Sequence, residues 1–217
     1  MTKYILWIYV AVSIANLVAK VIPSEELNQY TKPLLMPLLI FYVYRSSIGK
    51  TTLKTLLLSV ALLFSWFGDV VLMYQSNEIY FMAGIGLFLV AQVFYIITLR
   101  KSTYQNPLFN FKKALPFLVY AGLLFYVLLP AGHFSIPIIV YGSVIVIMAI
   151  YARLRDGNTS NGSYTYTLIG SILFLLSDSL LAFNSFQSTI PYAGVFIMLT
   201  YCGAQLLLVL GVLKHAE

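Results

Sequence analysis

Of the seven acidic residues in this 217-residue chain, five lie in loops or at ends: Glu25, Glu26, Glu78, Asp156 and Glu217. Asp69 and Asp178 instead interrupt long apolar runs, in Phe64-Ser65-Trp66-Phe67-Gly68-Asp69 and Phe174-Leu175-Leu176-Ser177-Asp178. A carboxyl within an apolar helix costs about 2.5–3.5 kcal/mol on insertion scales, so it marks a functional site by default. Two carboxyls in unlike surroundings can divide into an acid and a base. Other polar side chains recur at helical spacing. Gly84, Phe88, Gln92 and Tyr95 share one face, as do Gly194, Met198, Tyr201 and Gln205; Ser65 stands one turn before Asp69. Asn16 and Asn184 add amides at the outer level. Lys32 falls on the same side as the two carboxyls, where it either snorkels or meets an anion: one of the aspartates, or a phosphate. The plain alternative for Asn16, Gln92 and Gln205 is interhelical hydrogen bonding and nothing more.

Much other chemistry is excluded. The only histidines, His133 and His215, fall in a loop and at the tail, and Cys202 is the single cysteine. No three-histidine zinc centre or Ser-His-Asp arrangement can be assembled within the apolar runs, and no Gly-rich phosphate loop or dinucleotide fingerprint occurs. Neither a metal nor another cofactor is expected. Lone Cys202 allows no internal disulfide and reads as a small buried residue.

The elements that must position these groups are membrane helices. The chain is 60% hydrophobic and only 9% charged, against roughly 25% charged in soluble domains. Soluble enzymes, nucleic-acid binders and disordered proteins are excluded; the net charge of +6 forms no basic stripe. Eight apolar runs serve as candidate spans: Tyr4–Ile22, Thr31–Tyr44, Thr52–Tyr74, Ile79–Leu99, Phe111–Leu129, Phe134–Ala152, Tyr164–Phe183 and Ile190–Leu213. The first is too long for a signal-peptide core and is kept as a span. The second is short, with Pro33 and Pro37, and reads as kinked, tilted or incompletely spanning. Asp69 and Asp178 each stand five residues from the outer end of their run, about 7–8 Å below it.

The expected fold is all-α, a polytopic transmembrane bundle of eight spans forming a single membrane domain over residues 1–217. Eleven basic residues (Lys3, Arg45, Lys50, Lys54, Arg100, Lys101, Lys112, Lys113, Arg153, Arg155 and Lys214) fall on the side of the termini. Only Lys20 and Lys32 fall on the other. Both termini are therefore expected in the cytoplasm, along with the sequons at Asn158 and Asn161. An Asp followed by Ala-Gln recurs, with Asp-to-Gln gaps of 23 and 27 residues. This echo suits an internal repeat, 1–104 and 105–217, as two parallel four-helix halves.

Five stretches then resemble one family in order. Thr31-Lys32-Pro33-Leu34-Leu35, Phe64 to Asp69, Gly86 to Gln92 followed by Tyr95, Leu176 to Ala182, and Tyr201-Cys202-Gly203-Ala204-Gln205 look like the YhhN/TMEM86 family. The chain departs from the family pattern at Gln92, where relatives often carry histidine. Animal members are lysoplasmalogenases, so the resemblance implies hydrolysis of the sn-1 vinyl ether of a lysoplasmalogen. The products would be a fatty aldehyde and glycerophospho-ethanolamine or -choline. Protonating the β-carbon of a vinyl ether leaves an oxocarbenium ion for water to attack, a task for one carboxylic acid and one carboxylate, as in glycosidases. Asp69 and Asp178 are the expected catalytic pair. Asn16, Lys32, Gln92, Tyr95, Asn184, Tyr201 and Gln205 would bind substrate and orient water. The expected partners are a lipid substrate and the membrane, with no nucleic acid, and the expected location is a bacterial inner membrane. A small proton-coupled transporter using the same Asp pair is the main competing reading. An intramembrane aspartyl protease ranks third and a structural or lipid-binding protein fourth.

Overall fold

The computed structural model describes residues 2–49, 51–129 and 131–215; Lys50 and Glu217 lie outside the described residues. Eight α-helices follow in order: α1 (Thr2–Val21), α2 (Glu25–Ser46), α3 (Leu53–Val71), α4 (Glu78–Lys101), α5 (Phe111–Leu128), α6 (Ser135–Leu154), α7 (Asn161–Phe186) and α8 (Ala193–Lys214). Short 3₁₀ turns extend α3 at Leu72–Tyr74 and precede α6 at Gly132–Phe134, and no strand occurs among the described residues. Seven helices are long and apolar enough to cross a bilayer; α2 is not among them. Large apolar side chains such as Trp7, Leu123, Tyr126 and Ile136 stand exposed on the helices, as expected of surfaces solvated by lipid.

The helix starts follow local chemistry. Ser24, Asn110 and Ser160 cap α2, α5 and α7, each side-chain oxygen accepting from a backbone N–H in the first turn. Glu25, Glu26 and Glu78 occupy first turns, where carboxylates suit the positive end of the helix dipole. Gly157, with φ of 79°, makes the turn after α6 that Asp156-Gly157-Asn158 predicts.

Of the boundaries that differ from the sequence expectation, three bear on the polar groups. First, α2 begins at Glu25 rather than Thr31, so Lys32 is about two helical turns inside it. The helix runs through both prolines, and the carbonyl freed by Pro37 finds another donor. Pro37 has no N–H for the Pro33 carbonyl, and Trp66 Nε1 of α3 donates to that oxygen at 2.8 Å. Second, α7 runs on to Phe186, so Asn184 lies within it and Asp178 stands eight residues from its end. Asp69 is two residues from the end of α3 and five from the end of its 3₁₀ extension, so the equal spacing to the helix ends does not hold. Third, Pro191 and left-handed Tyr192 (φ 57°) delay α8 to Ala193.

The chain forms two compact units, Met1–Thr98 and Leu99–Glu217. In the first, α2 packs between α1 and α3. The α3–α4 seam closes on small residues: a Cβ at Gly68 would come within 2.7 Å of the Phe88 ring, and one at Gly84 within 2.6 Å of Leu72. In the second unit α7 and α8 form the most extensive seam, with α6 against α5 and α7. Here the fit is backbone to backbone. A Cβ at Gly211 would lie 2.8 Å from Thr167 N, and one at Gly170 3.0 Å from Leu208 N. Close approach through small residues is how helices associate where lipid removes the hydrophobic driving force.

Candidate functional site

In the first unit four helices contribute buried polar groups. Lys32 Nζ of α2 lies 3.7 Å from Asp69 Oδ1 of α3, with the aspartate side chain only 3% exposed and the lysine 12%. The two elements are locked at this level by the bond from Trp66 to the Pro33 carbonyl, one residue beyond Lys32 in α2. Asn16 of α1 is fully buried and donates through Nδ2 to Asn28 Oδ1 (3.1 Å) and Thr31 Oγ1 (2.9 Å), both on α2. Thr31, adjacent to Lys32, donates its own hydroxyl hydrogen bond to the Leu27 carbonyl at 2.7 Å. Gln92 and Tyr95 of α4 are fully buried, as the shared helical face predicts. Gly68 admits the Phe88 ring next to Asp69, so the small residue before the carboxyl is what lets α4 approach it.

In the second unit Asp178 is half-buried and accepts a hydrogen bond at Oδ2 from the Tyr141 hydroxyl of α6. Its neighbour Ser179 accepts from Tyr120 OH of α5 at 2.9 Å and donates to the Leu175 carbonyl at 2.7 Å. Ser177 Oγ donates to the Ile197 carbonyl of α8 at 3.1 Å. Three successive side chains of α7 thus face three different helices, which fixes the rotation of Asp178. Tyr201 and Gln205 of α8 are buried, with Tyr201 packed edge-on against Phe174 at 5.6 Å between centroids. Asn184 has local work: its Oδ1 accepts from Ile190 N at 2.9 Å and folds the α7–α8 connection.

The structure adds groups that the sequence reading did not single out. Tyr141 and Tyr120 are two of 17 tyrosines in the chain, and nothing in their spacing sets them apart. Arg155, counted only as an orientation charge, is fully buried. Its guanidinium donates to Ser102 O (2.9 Å), Ser163 Oγ (2.8 Å) and Thr167 Oγ1, joining the segment after α4 to the start of α7. All these acceptors are neutral, and burial pushes the group down to about 10. Outside, Asp156 is held below its ordinary carboxylate range by hydrogen bonds from Arg153 and Lys113.

Among the described residues, eight helices, seven of them able to span a bilayer, with buried and half-buried carboxyls, amides and cations between them, define an integral helical membrane protein with a polar interior. The model of the YhhN family matches residues 27–212, and the chain belongs to that family. It is 29% identical to lysoplasmalogenase TMEM86B of Mus musculus, covering 82% of this chain and 73% of that protein. It is 28% identical to lysoplasmalogenase TMEM86A of Homo sapiens (73% of this chain, 65% of that one) and 30% identical to human lysoplasmalogenase TMEM86B (74% and 65%). The chain therefore spans between 65% and 73% of the length of these relatives. No solved structure matches it.

Proposed function

We propose that this protein is a membrane-embedded hydrolase that cleaves the vinyl ether bond of lysoplasmalogen-type lipids. The products are a fatty aldehyde and glycerophospho-ethanolamine or -choline. Kinship with lysoplasmalogenases supports the reaction class, and the buried Lys32–Asp69 pair is the observation that carries the chemistry.

The reaction needs a proton delivered to the β-carbon, stabilisation of the resulting oxocarbenium ion, and a water to capture it. Asp69, ion-paired with Lys32, serves as the carboxylate that faces the cation and takes the proton of water. Asp178, bonded to the neutral Tyr141 hydroxyl, serves as the proton donor. The role of Asp69 follows from its paired cation, and the role of proton donor then falls to the other intramembrane carboxyl. Gln92, Tyr95, Tyr201, Gln205, Asn16 and Asn184 orient water and the glycerol oxygens, and Lys32 also serves the phosphate. Water adds to the former vinyl carbon, and the hemiacetal collapses to aldehyde and the glycerol alcohol, with one water consumed.

The lipid partner and the enzyme share a bacterial inner membrane, with both termini cytoplasmic. The chain carries an internal repeat, 1–104 and 105–217; its two compact units, which divide six residues earlier between Thr98 and Leu99, support a division near this point. The test is bond selectivity. Purified protein should release aldehyde from a 1-alkenyl lysophospholipid and nothing from its 1-alkyl or 1-acyl analogue, because neither analogue has the enol-ether double bond whose β-carbon takes up the proton. Equal cleavage of the acyl ester would refute acid-initiated chemistry, and ion flux without any product would favour a transporter.

A further inference from the structure

Among the described residues of the first unit, five buried polar side-chain atoms have no hydrogen-bond partner: Asn16 Oδ1, Ser47 Oγ and, facing one another across the α3–α4 seam, Ser65 Oγ on α3 and Gln92 Oε1 and Nε2 on α4. Ser65 and Gln92 are 0% exposed. Their relative level follows from the contacts along the seam. Leu72 meets Gly84, Gly68 meets Phe88, and the Phe64 and Phe94 rings stack at 5.8 Å, so residue numbers fall along α3 as they rise along α4. Ser65 lies about one turn before Gly68, and Gln92 one turn after Phe88. The hydroxyl and the amide therefore occupy the same level of the seam. Ser65 is also one turn before Asp69 on the same face of α3.

Leaving an amide and a hydroxyl unpaired in an apolar seam is costly, and native interiors meet such groups with ordered water, which typically makes about three hydrogen bonds. A hydroxyl, an amide oxygen and an amide N–H supply that number. We propose that Ser65 and Gln92 form the binding site of the water that captures the oxocarbenium ion, one helical turn from the Asp69 carboxylate. This deepens the hydrolase reading and rests on it. Water held there forms its C–O bond to the cationic carbon while its proton passes to Asp69. Ser65 and Gln92 are positioning residues: they hold the nucleophile and exclude others. The site also accounts for how this chain manages with glutamine at position 92, since the amide both donates to and accepts from a water without changing its own protonation.

The test is competition between nucleophiles. Full-length protein in detergent is given a 1-alkenyl lysophospholipid in buffer containing methanol, which adds to the same cation and yields a stable mixed acetal instead of aldehyde. The wild type should give almost entirely aldehyde. Ser65→Ala and Gln92→Leu, by removing polar groups that select water over methanol, should each slow aldehyde formation roughly tenfold, the loss of about one hydrogen bond in the transition state, and raise the acetal share severalfold. The acetal-to-aldehyde ratio does not depend on the fraction of active protein, so partial misfolding leaves it unmoved. Slower variants with an unchanged ratio would reduce the pair to a packing role and overturn the inference, as would full activity in both. Absence of aldehyde from the wild type would instead remove the hydrolase reading beneath it.

Discussion

Lys32 and Asp69 are worth most as a pair. Removing one partner of a buried ion pair leaves the other charge uncompensated, at a cost of about 3–5 kcal/mol, whereas removing both is often close to neutral. Lys32→Met is therefore expected to lower both thermal stability and aldehyde formation. Lys32→Met/Asp69→Asn should recover most of the melting temperature while staying inactive, which thermal unfolding beside product assays would show. Arg155 behaves differently, because its guanidinium serves several acceptors at once. Lysine has one nitrogen and cannot span them, so Arg155→Lys should destabilise by roughly 2–3 kcal/mol. Activity per folded molecule should be unchanged. At Asp156 the folded pKa lies below the ordinary 3.8, so its contribution is present above that value and lost as pH falls through the folded one. Because the carboxylate is largely exposed, the effect is small, and Asp156→Asn should only slightly flatten the acid side of a melting-temperature profile. Asp69 and Asp178 were legible as singular because a carboxyl in an apolar run is rare. Tyr141 and Arg155 were not, since a tyrosine among many and an arginine beside a turn take their meaning from tertiary neighbours.

Among the helices, α2 departs furthest from its sequence pattern. Two prolines and a polar first half argue for a short, broken span, yet the helix runs 22 residues. The missing term was Trp66, whose indole N–H replaces the donor that Pro37 cannot supply. Trp66→Phe keeps the ring and leaves the Pro33 carbonyl unpaired, a loss of about 1–3 kcal/mol. Because that contact holds α2 against α3 beside Lys32 and Asp69, aldehyde formation should fall with stability. Periodicity did place Gln92, Tyr95, Tyr201 and Gln205 on buried faces, because 3.6-residue spacing is local information. Helix ends carry less: the apolar run stops at Phe183, whereas α7 continues three residues to Phe186 through polar Asn184 and Ser185. In the structure the Asn184 side chain instead folds the following connection onto its helix.

At the level of the whole molecule, composition sufficed for the class, since so few charges cannot solvate a chain of this length in water. Eight helices and the absence of strands among the described residues agree with the pattern of apolar runs. Charge asymmetry supports a shared side for the termini, and a reporter fused to either end should be active only in its cytoplasmic form; opposite outcomes at the two ends would overturn the eight-span topology.

The most direct test of the account is aldehyde release from a 1-alkenyl lysophospholipid by the purified wild type, Asp69→Asn and Asp178→Asn, read by mass spectrometry. Loss of a general acid or base is typically worth 10²–10⁴-fold, so the account predicts aldehyde from the wild type and a drop of at least about 100-fold in each variant. Undiminished release from well-folded Asp69→Asn and Asp178→Asn would contradict it.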